Sequence, residues 1–129
     1  MRHRMVRSKV GSYGSHSRAL IKNQLRELVE HRSIVTTVAK AKVVKRFFDK
    51  LMVKAVKASK SNDRAESVAL RRQINRYLCD RKLTNKLVDE IAKNIGDRNS
   101  GFSRIVRIGQ RRGDGAEMVL LQIVEKTNE

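Results

Sequence analysis

The sequence predicts an α+β fold, in which four helices pack on a small three-stranded sheet and a basic, extended N-terminal arm precedes them. Three observations predict it. Apolar residues recur at helical spacing in four segments between residues 15 and 95. Beyond residue 101, two segments rich in Ile, Val and Leu flank a turn with Gly113, Asp114 and Gly115, which is typical of a β-hairpin. The first 22 residues contain six Lys and Arg and no Asp or Glu.

The polycationic arm repels itself and has little apolar surface to bury, so we expect it to order only with a partner of dense negative charge. We assign the arm to residues 1–14, a single globular domain to 15–125 and a short tail to 126–129. A mitochondrial transit peptide is the alternative for the arm, although Gly11 and Gly14 interrupt any amphipathic helix there. We expect a cytoplasmic protein, because no segment is a secretory leader or a membrane span and the single Cys fits a reducing compartment.

The first predicted helix is capped by Ser15 or Ser17 and ends near His31. Residues 34–38 are all β-branched and predict a short strand. An isolated pair of strands is marginal in water, so we expect this strand to join the C-terminal hairpin in one sheet that the helices cover on one face.

The second predicted helix spans residues 38–58, with Thr37 as its cap, and is the clearest element in the chain. One side is apolar and packs, while the other is a cationic ridge. The packing side comprises Val44, Phe47, Phe48, Leu51 and Ala55. The ridge comprises Lys42, Arg46, Lys50, Lys54 and Lys57.

Asn62 or Asp63 opens the third predicted helix, with Glu66 placed as in a capping box. The apolar stripe of this helix includes Tyr77, and Cys79 after it is expected in the core. The fourth helix starts near Thr84 and ends before Gly96. The hairpin strands are expected at 102–108 and 118–124.

No constellation of residues supports catalysis, so we expect no enzymatic activity, no cofactor and no small-molecule substrate. The three His are too scattered for a metal site, and Cys79 has no CxxC partner. The neighbouring acids Asp89 and Glu90 point about 100° apart on a helix and are expected to be solvated surface charges. No glycine-rich phosphate loop is present.

The charge points to a nucleic-acid partner. The chain has 30 Lys and Arg against 13 Asp and Glu, a formal net charge of +17 and a pI near 11.0. The ridge lies in segment 39–60, where eight cations face one acid; a solvated helix face or an anionic membrane surface are the alternatives. Structured RNA is favoured over duplex DNA, because a flexible arm fits crevices between RNA helices and no sequence-reading DNA module is present.

Several segments together resemble the bacterial large-subunit ribosomal protein seventeen family, nearly from end to end. In chain order, these segments are Met1-Arg2-His3-Arg4, Ser15-His16-Ser17-Arg18-Ala19-Leu20 followed by Asn23, Ile34-Val35-Thr36-Thr37, Ala39-Lys40-Ala41-Lys42, Gly101-Phe102-Ser103-Arg104-Ile105, Arg112-Gly113-Asp114 and Ala116-Glu117-Met118. The resemblance implies a non-enzymatic protein among the RNA helices of the large subunit, with neighbouring ribosomal proteins as further partners. Where such proteins usually have Gly-Gly-Tyr-Thr-Arg, this chain has Ser100-Gly101-Phe102-Ser103-Arg104.

The expected RNA contacts come from two sources. The resemblance implies Arg2, His3, Arg4, His16, Arg18, Asn23, Lys40, Lys42, Arg104 and Arg112, with Thr36, Thr37 and Asp114 in the same motifs. Charge and position add Arg7, Lys9, Lys22, Arg46, Lys50, Lys54 and Arg111. The alternative for Thr36 and Thr37 is a role as strand and cap residues, and for His16 a bond to local backbone. Asn23 is alternatively an exposed helix residue or a bridge between arm and helix, and Asp114 a residue that shapes the turn.

The resemblance therefore implies a structural constituent of the large (50S) subunit that binds 23S-type ribosomal RNA, and the charge predicts that it stabilises this folded RNA by neutralising its phosphates. No homo-oligomer is expected. A general, nucleoid-type DNA-binding protein is the alternative, and a peripheral membrane module is a third reading.

Overall fold

The structure is a computed structural model and describes residues 9–126. Its elements in chain order are α1 (Gly14–His31), β1 (Ser33–Thr37), α2 (Val38–Lys60), α3 (Arg64–Leu78), α4 (residues 81–94), β2 (Ser103–Gln110) and β3 (Glu117–Ile123). The predicted α+β fold is confirmed. The expected contacts Arg2, His3, Arg4 and Arg7, and residues 127–129 of the tail, lie outside the described residues.

The sheet is antiparallel with strand order β1–β3–β2, so β3 is its central strand. Side chains alternate along β3: Val119, Leu121 and Ile123 are buried under the helices, while the residues between them are only half-buried. On the other face, Val35 and Val106 flank β3 and are exposed. The helices therefore cover one face of the sheet, as predicted.

The core lies between that covered face and the helices, with α2 at its centre. Phe48 and Leu51 of α2 and Phe102 before β2 are among its largest fully or almost fully buried side chains. The other helices contribute Leu25, Leu28, Val29, Ile74, Leu78, Leu87, Val88 and Ile91. The apolar side predicted for α2 is the side that packs.

The start of α1 differs from the prediction. The helix begins at Gly14 with Tyr13 in the N-cap position, and no side chain caps it. Ser17 lies inside the helix and donates its hydroxyl to the carbonyl of Val10, a residue only 9% exposed. Gly11, with φ of +78°, allows the chain to turn there. Ser17 thus holds the preceding segment against the helix instead of capping it, and Ser15 lies inside the helix as well.

Asp63 opens α3 as predicted, accepting from the backbone N–H of Ala65 at 3.0 Å. Glu66 does not complete a capping box on Asp63. Its carboxylate instead accepts from the Ser61 hydroxyl at 2.8 Å, and that hydroxyl accepts from the Asp63 N–H at 3.3 Å. Ser61 therefore mediates the contact that the capping box would make directly.

The fourth helix begins at Arg81, earlier than the predicted start near Thr84. Asp80 is the cause, because its carboxylate accepts from the backbone N–H groups of Lys82 and Leu83 at 2.8 and 3.3 Å. The helix is α-helical over Arg81–Lys86, π-helical over Leu87–Ile91 and α-helical again over Ala92–Asn94.

Cys79 also departs from the prediction, because it is exposed rather than in the core. It follows the last residue of α3 in the left-handed conformation, with φ of 50°, and its N–H donates to the Asn75 carbonyl. This geometry ends the helix and turns the side chain to solvent.

The hairpin strands begin and end within two residues of their predicted bounds. Between Arg107 and Gly109 the register shifts by one residue, which makes Ile108 the extra residue of a β-bulge. The turn closes through two backbone bonds, from the Arg111 N–H to the Ala116 carbonyl at 2.7 Å and from the Gly115 N–H to the Arg111 carbonyl at 3.0 Å. Asp114 accepts from the Ala116 N–H at 3.2 Å, so it shapes the turn as expected.

Candidate nucleic-acid interface

Ion pairs divide the cations of residues 9–126 into two groups. Some pair with an acid within the chain, which partly compensates their charge. These pairs are Arg26–Asp80, Arg32–Glu90, Arg32–Glu125, Lys45–Asp49, Lys57–Glu66, Arg71–Asp89, Arg107–Glu117 and Arg111–Asp114. The remaining cations have no carboxylate within salt-bridge distance among the described residues and are therefore available to a partner.

The ridge of α2 belongs mainly to the second group. We define the α2 basic face as Lys42, Arg46, Lys50 and Lys54, none of which has an ion pair within the described chain. Successive members are four residues apart, so the row runs about 18 Å along the helix.

None of the described helices is long and apolar enough to cross a bilayer.

Lys57 ends this row. Its ammonium lies 3.0 Å from the carboxylate of Glu66 on α3. The hydrogen bond from Lys57, with a second from Ser61, lowers the pKa of the Glu66 carboxyl. Lys57 was predicted as part of the ridge, but its charge is matched within the chain.

A groove lined by α1, α2 and α3 adjoins the α2 basic face. It consists of two concavities, of about 590 and 280 Å³, that share the rings of Phe47 and Tyr77. The ring centroids are 6.3 Å apart with an interplanar angle of 50°. We call it the aromatic groove; its cations are Arg18, Lys22, Lys50, Lys54 and Arg76.

The fold thus brings together predicted site residues from two distant segments, with Arg18 and Lys22 of α1 in the same groove as Lys50 and Lys54 of α2. Sequence reasoning missed the contribution of α3. Tyr77 was assigned to an apolar stripe, yet 42% of it is exposed. The only local indication of a binding role for Tyr77 is the adjacent Arg76. Its relevance is evident only in the folded chain, where α3 packs beside α1 and α2.

The hairpin cations lie on the sheet and its turn rather than on the helices, and they differ in whether they are ion-paired within the chain. Arg104 lies on the open face of the sheet, opposite Gln122 of β3. Arg111 is an expected RNA contact, but its Nε donates to the Asp114 carboxylate at 3.0 Å within the chain. This hydrogen bond is the main reason why the pKa of the Asp114 carboxyl lies well below its usual range. Arg112 has no such pair within the described residues.

Most of the described candidates near the N-terminus are exposed, whereas Lys22 is half-buried. Lys9 and Asn23 face solvent, and so does His16. The Nδ1 atom of His16 accepts from the Ser12 N–H at 3.2 Å, and its ring centroid is 5.7 Å from that of Tyr13. His16 therefore has the local backbone role that was one of its two readings.

Thr36 and Thr37 contribute to the fold. Thr36 is buried, and its hydroxyl accepts from the Gln24 side-chain amide of α1 at 3.3 Å. Thr37 occupies the N-cap position of α2, as predicted, but makes no side-chain capping bond. Lys40 lies in the first turn of α2 and is half-buried.

One cluster has the side chains that bind metals. Ligand atoms of Glu27, Glu30 and His31 lie within 4.8 Å of one another at the end of α1, and all three residues are exposed. His31 is also 3.3 Å from Glu27 as an i,i+4 pair. Residues at helical i,i+3 and i,i+4 spacing are neighbours on any helix surface, which accounts for the cluster.

Comparison with known proteins identifies close relatives. A family model described as Ribosomal protein L17 matches residues 20–124, from within α1 to just after β3. The chain is 62% identical over 129 residues to the large ribosomal subunit protein bL17 of Thermotoga neapolitana, covering 100% of this chain and 98% of that protein. The protein of the same name from Fervidobacterium nodosum is 57% identical over 127 residues, covering 97% of this chain and 100% of that protein. The Salinibacter ruber protein is 36% identical over 125 residues, covering 97% of this chain and 59% of that protein.

Proposed function

Because the chain belongs to the ribosomal protein L17 family and is thus a protein of the large ribosomal subunit, we propose that it binds and stabilises folded 23S-type ribosomal RNA by neutralising its phosphates. Its role there is structural rather than catalytic. Its partners are the RNA and the neighbouring proteins of the large subunit. It is located in the ribosome, in the bacterial cytoplasm.

The observation that carries the proposal is the α2 basic face, a row of cations without carboxylate partners on a helix anchored in the core. Because the backbone of the helix is already ordered, only the side chains of the row lose conformational freedom when they meet a phosphate backbone, which favours binding. Arginine and lysine together provide bidentate hydrogen bonds and mobile point charges to phosphate oxygens.

The α2 basic face does not act alone. Arg18 and Lys22 extend the positive surface onto α1, and Arg104 and Arg112 supply cations on the hairpin, a separate part of the molecule. Cations on separate elements favour a partner that offers backbone at several places, as folded RNA does. We include the arm cations Arg2, His3, Arg4, Arg7 and Lys9 in the proposed contact set on the basis of sequence.

Binding of the purified chain to large-subunit RNA fragments, random duplex DNA and anionic vesicles, measured as salt concentration rises, tests the proposal. We expect the RNA complex to persist at salt concentrations that dissociate the other two complexes. Contacts that match the shape of the folded RNA add binding free energy to the electrostatic part, which salt weakens. A preference for duplex DNA at moderate salt would overturn the RNA proposal and favour the nucleoid-type alternative. Retention on vesicles alone would favour the membrane alternative.

A second measurement addresses the particle itself. Large subunits washed at high salt should retain the protein, since contacts on several elements must break together before it dissociates. Loss of the protein at a salt concentration that leaves the other large-subunit proteins in place would contradict a stabilising role.

A further inference from the structure

Tyr77 is an exposed aromatic ring in a cationic setting, and phosphate neutralisation does not account for it. We propose that the aromatic groove binds an unpaired RNA nucleotide, whose base stacks on the Tyr77 ring while its flanking phosphates pair with the surrounding cations. This proposal rests on the proposed RNA-binding function and deepens it, because it assigns to one place a contact with a base rather than with the backbone.

The ring is held in place before any ligand arrives. Tyr77 lies in the last turn of α3, next to the fully buried Leu78. Phe47 of α2 is half-buried and tilts against it at a centroid separation of 6.3 Å. Since Phe47 supports the ring and 42% of the residue is exposed, a planar group can reach it once the Lys54 side chain, whose ammonium lies over the ring, moves aside, and the helices need not rearrange.

The charges around the rings select an anionic ligand. The ammonium of Lys54 lies 5.8 Å from the Tyr77 centroid, and that of Lys50 lies 6.0 Å from the Phe47 centroid. Arg18, Lys22 and Arg76 line the larger concavity. Neither concavity is lined by an acidic residue, and none of the five cations has an ion pair within the described chain. A neutral or basic ligand would leave them unmatched.

An unpaired nucleotide satisfies both features. The face of its base matches an exposed ring, and each of its phosphates carries a negative charge for the flanking cations. A fully paired duplex has no free base face to offer. An acidic peptide would match the charge but would make no use of the ring, so it is the occupant against which the test must discriminate.

The composition of the chain makes a direct test possible. The protein has no Trp and two Tyr, so the Tyr13→Phe variant leaves Tyr77 as the only strongly fluorescent side chain. We expect a single-stranded oligouridylate to quench this fluorescence, because base stacking brings the two π systems into contact. A self-complementary RNA duplex of equal length, or oligoaspartate, should quench it far less.

Affinity measurements supply the second readout. Tyr77→Leu, which retains an apolar side chain, should weaken oligouridylate binding about 5- to 150-fold, whereas Tyr77→Phe should retain most of it. Tyr13→Leu removes an exposed tyrosine outside the groove and is the matched control, with wild-type affinity expected. Circular dichroism establishes that each variant is folded.

Equal binding by Tyr77→Leu and the wild type, or equal quenching by oligoaspartate and oligouridylate, would overturn the proposal. Its failure is distinguishable from failure of the proposed function. If Tyr77→Leu has no effect while neutralising Lys42 and Arg46 weakens binding to ribosomal RNA, only the groove proposal falls. If neither change affects RNA binding, both proposals fall.

Discussion

Ser103 at the start of β2 donates its hydroxyl to the carboxylate of Asp49, in the middle of α2, at 3.0 Å. The ammonium of Lys45 adds a bond of 2.5 Å to the Ser103 carbonyl and lies 3.8 Å from Asp49. Ser103 is only 4% exposed, whereas the Asp49 side chain is 31% exposed, so the contact is shielded from water on the serine side. It fixes the helix that carries the α2 basic face to the edge of the sheet.

Replacing Ser103 by Ala should therefore lower the free energy of unfolding by about 1–3 kcal/mol, because the half-buried Asp49 carboxylate loses a hydrogen bond from a buried hydroxyl. Urea denaturation measures the change, and Ser100→Ala, at an exposed position before β2, is the matched control. An unchanged unfolding midpoint in Ser103→Ala would show that the contact does not stabilise the fold.

Removing two charges from the α2 basic face should flatten the salt dependence of RNA binding. For Lys42→Ala/Arg46→Ala we expect the slope of log K against log salt to become shallower by about 1.4–1.8, if each cation meets one phosphate. The matched control is Lys57→Ala/Arg107→Ala, which removes one Lys and one Arg that are paired with Glu66 and Glu117. Equal slopes for the two double variants would mean that total charge, and not its location, governs binding.

The two neighbouring arginines of the hairpin turn should behave differently. Arg111 is held by Asp114 and must give up this pair to reach a phosphate, whereas Arg112 has no such pair within the described residues. Arg112→Ala should therefore weaken binding to ribosomal RNA more than Arg111→Ala does. A filter-binding titration of both variants at one salt concentration is sufficient, and the reverse order would show that the turn rearranges on binding.

Asp80 should make stability depend on pH. Hydrogen bonds from the N–H groups of Leu83 and Lys82, with the charge of Arg26, hold the pKa of this carboxyl below its usual value despite some desolvation. A lowered pKa means that the stabilisation is present above the unfolded value of about 4 and is lost as pH falls through the folded value.

Asp80→Asn keeps an acceptor oxygen at the helix start but cannot titrate. Its Tm should therefore fall less than that of the wild type between about pH 6 and pH 3. Asp97→Asn removes one carboxylate from an exposed turn after α4 and controls for net charge. Parallel Tm curves for wild type and Asp80→Asn would contradict the assignment.

The helices and strands were predictable because their signals are local. The apolar spacing of α2 and the β-branched run of β1 each define an element within a few residues of its observed bounds. The errors fall where a single side chain changes the backbone. Asp80 starts α4 early, Ser17 bonds backward instead of capping, and Cys79 takes a left-handed conformation that exposes it.

The candidate site was predictable only in part, for a different reason. A cationic ridge on one helix is visible in the sequence, but whether each cation is free depends on acids from other elements, as Lys57 and Glu66 show. The aromatic groove forms only where α1, α2 and α3 pack together. Tyr77 therefore could not be distinguished from a core residue by its spacing in the sequence alone.

The central position of β3 in the sheet limits how early the sheet can form during synthesis of the chain. β1 and β2 both pair with β3, the last strand in residues 9–126, so neither can complete its backbone hydrogen bonds while the ribosome is still translating residues 117–123. The helices precede that strand and leave the exit tunnel first, with the cations of α1 and α2 already exposed to any RNA nearby. A nascent chain of this protein thus presents its polyelectrolyte character before it acquires its finished fold.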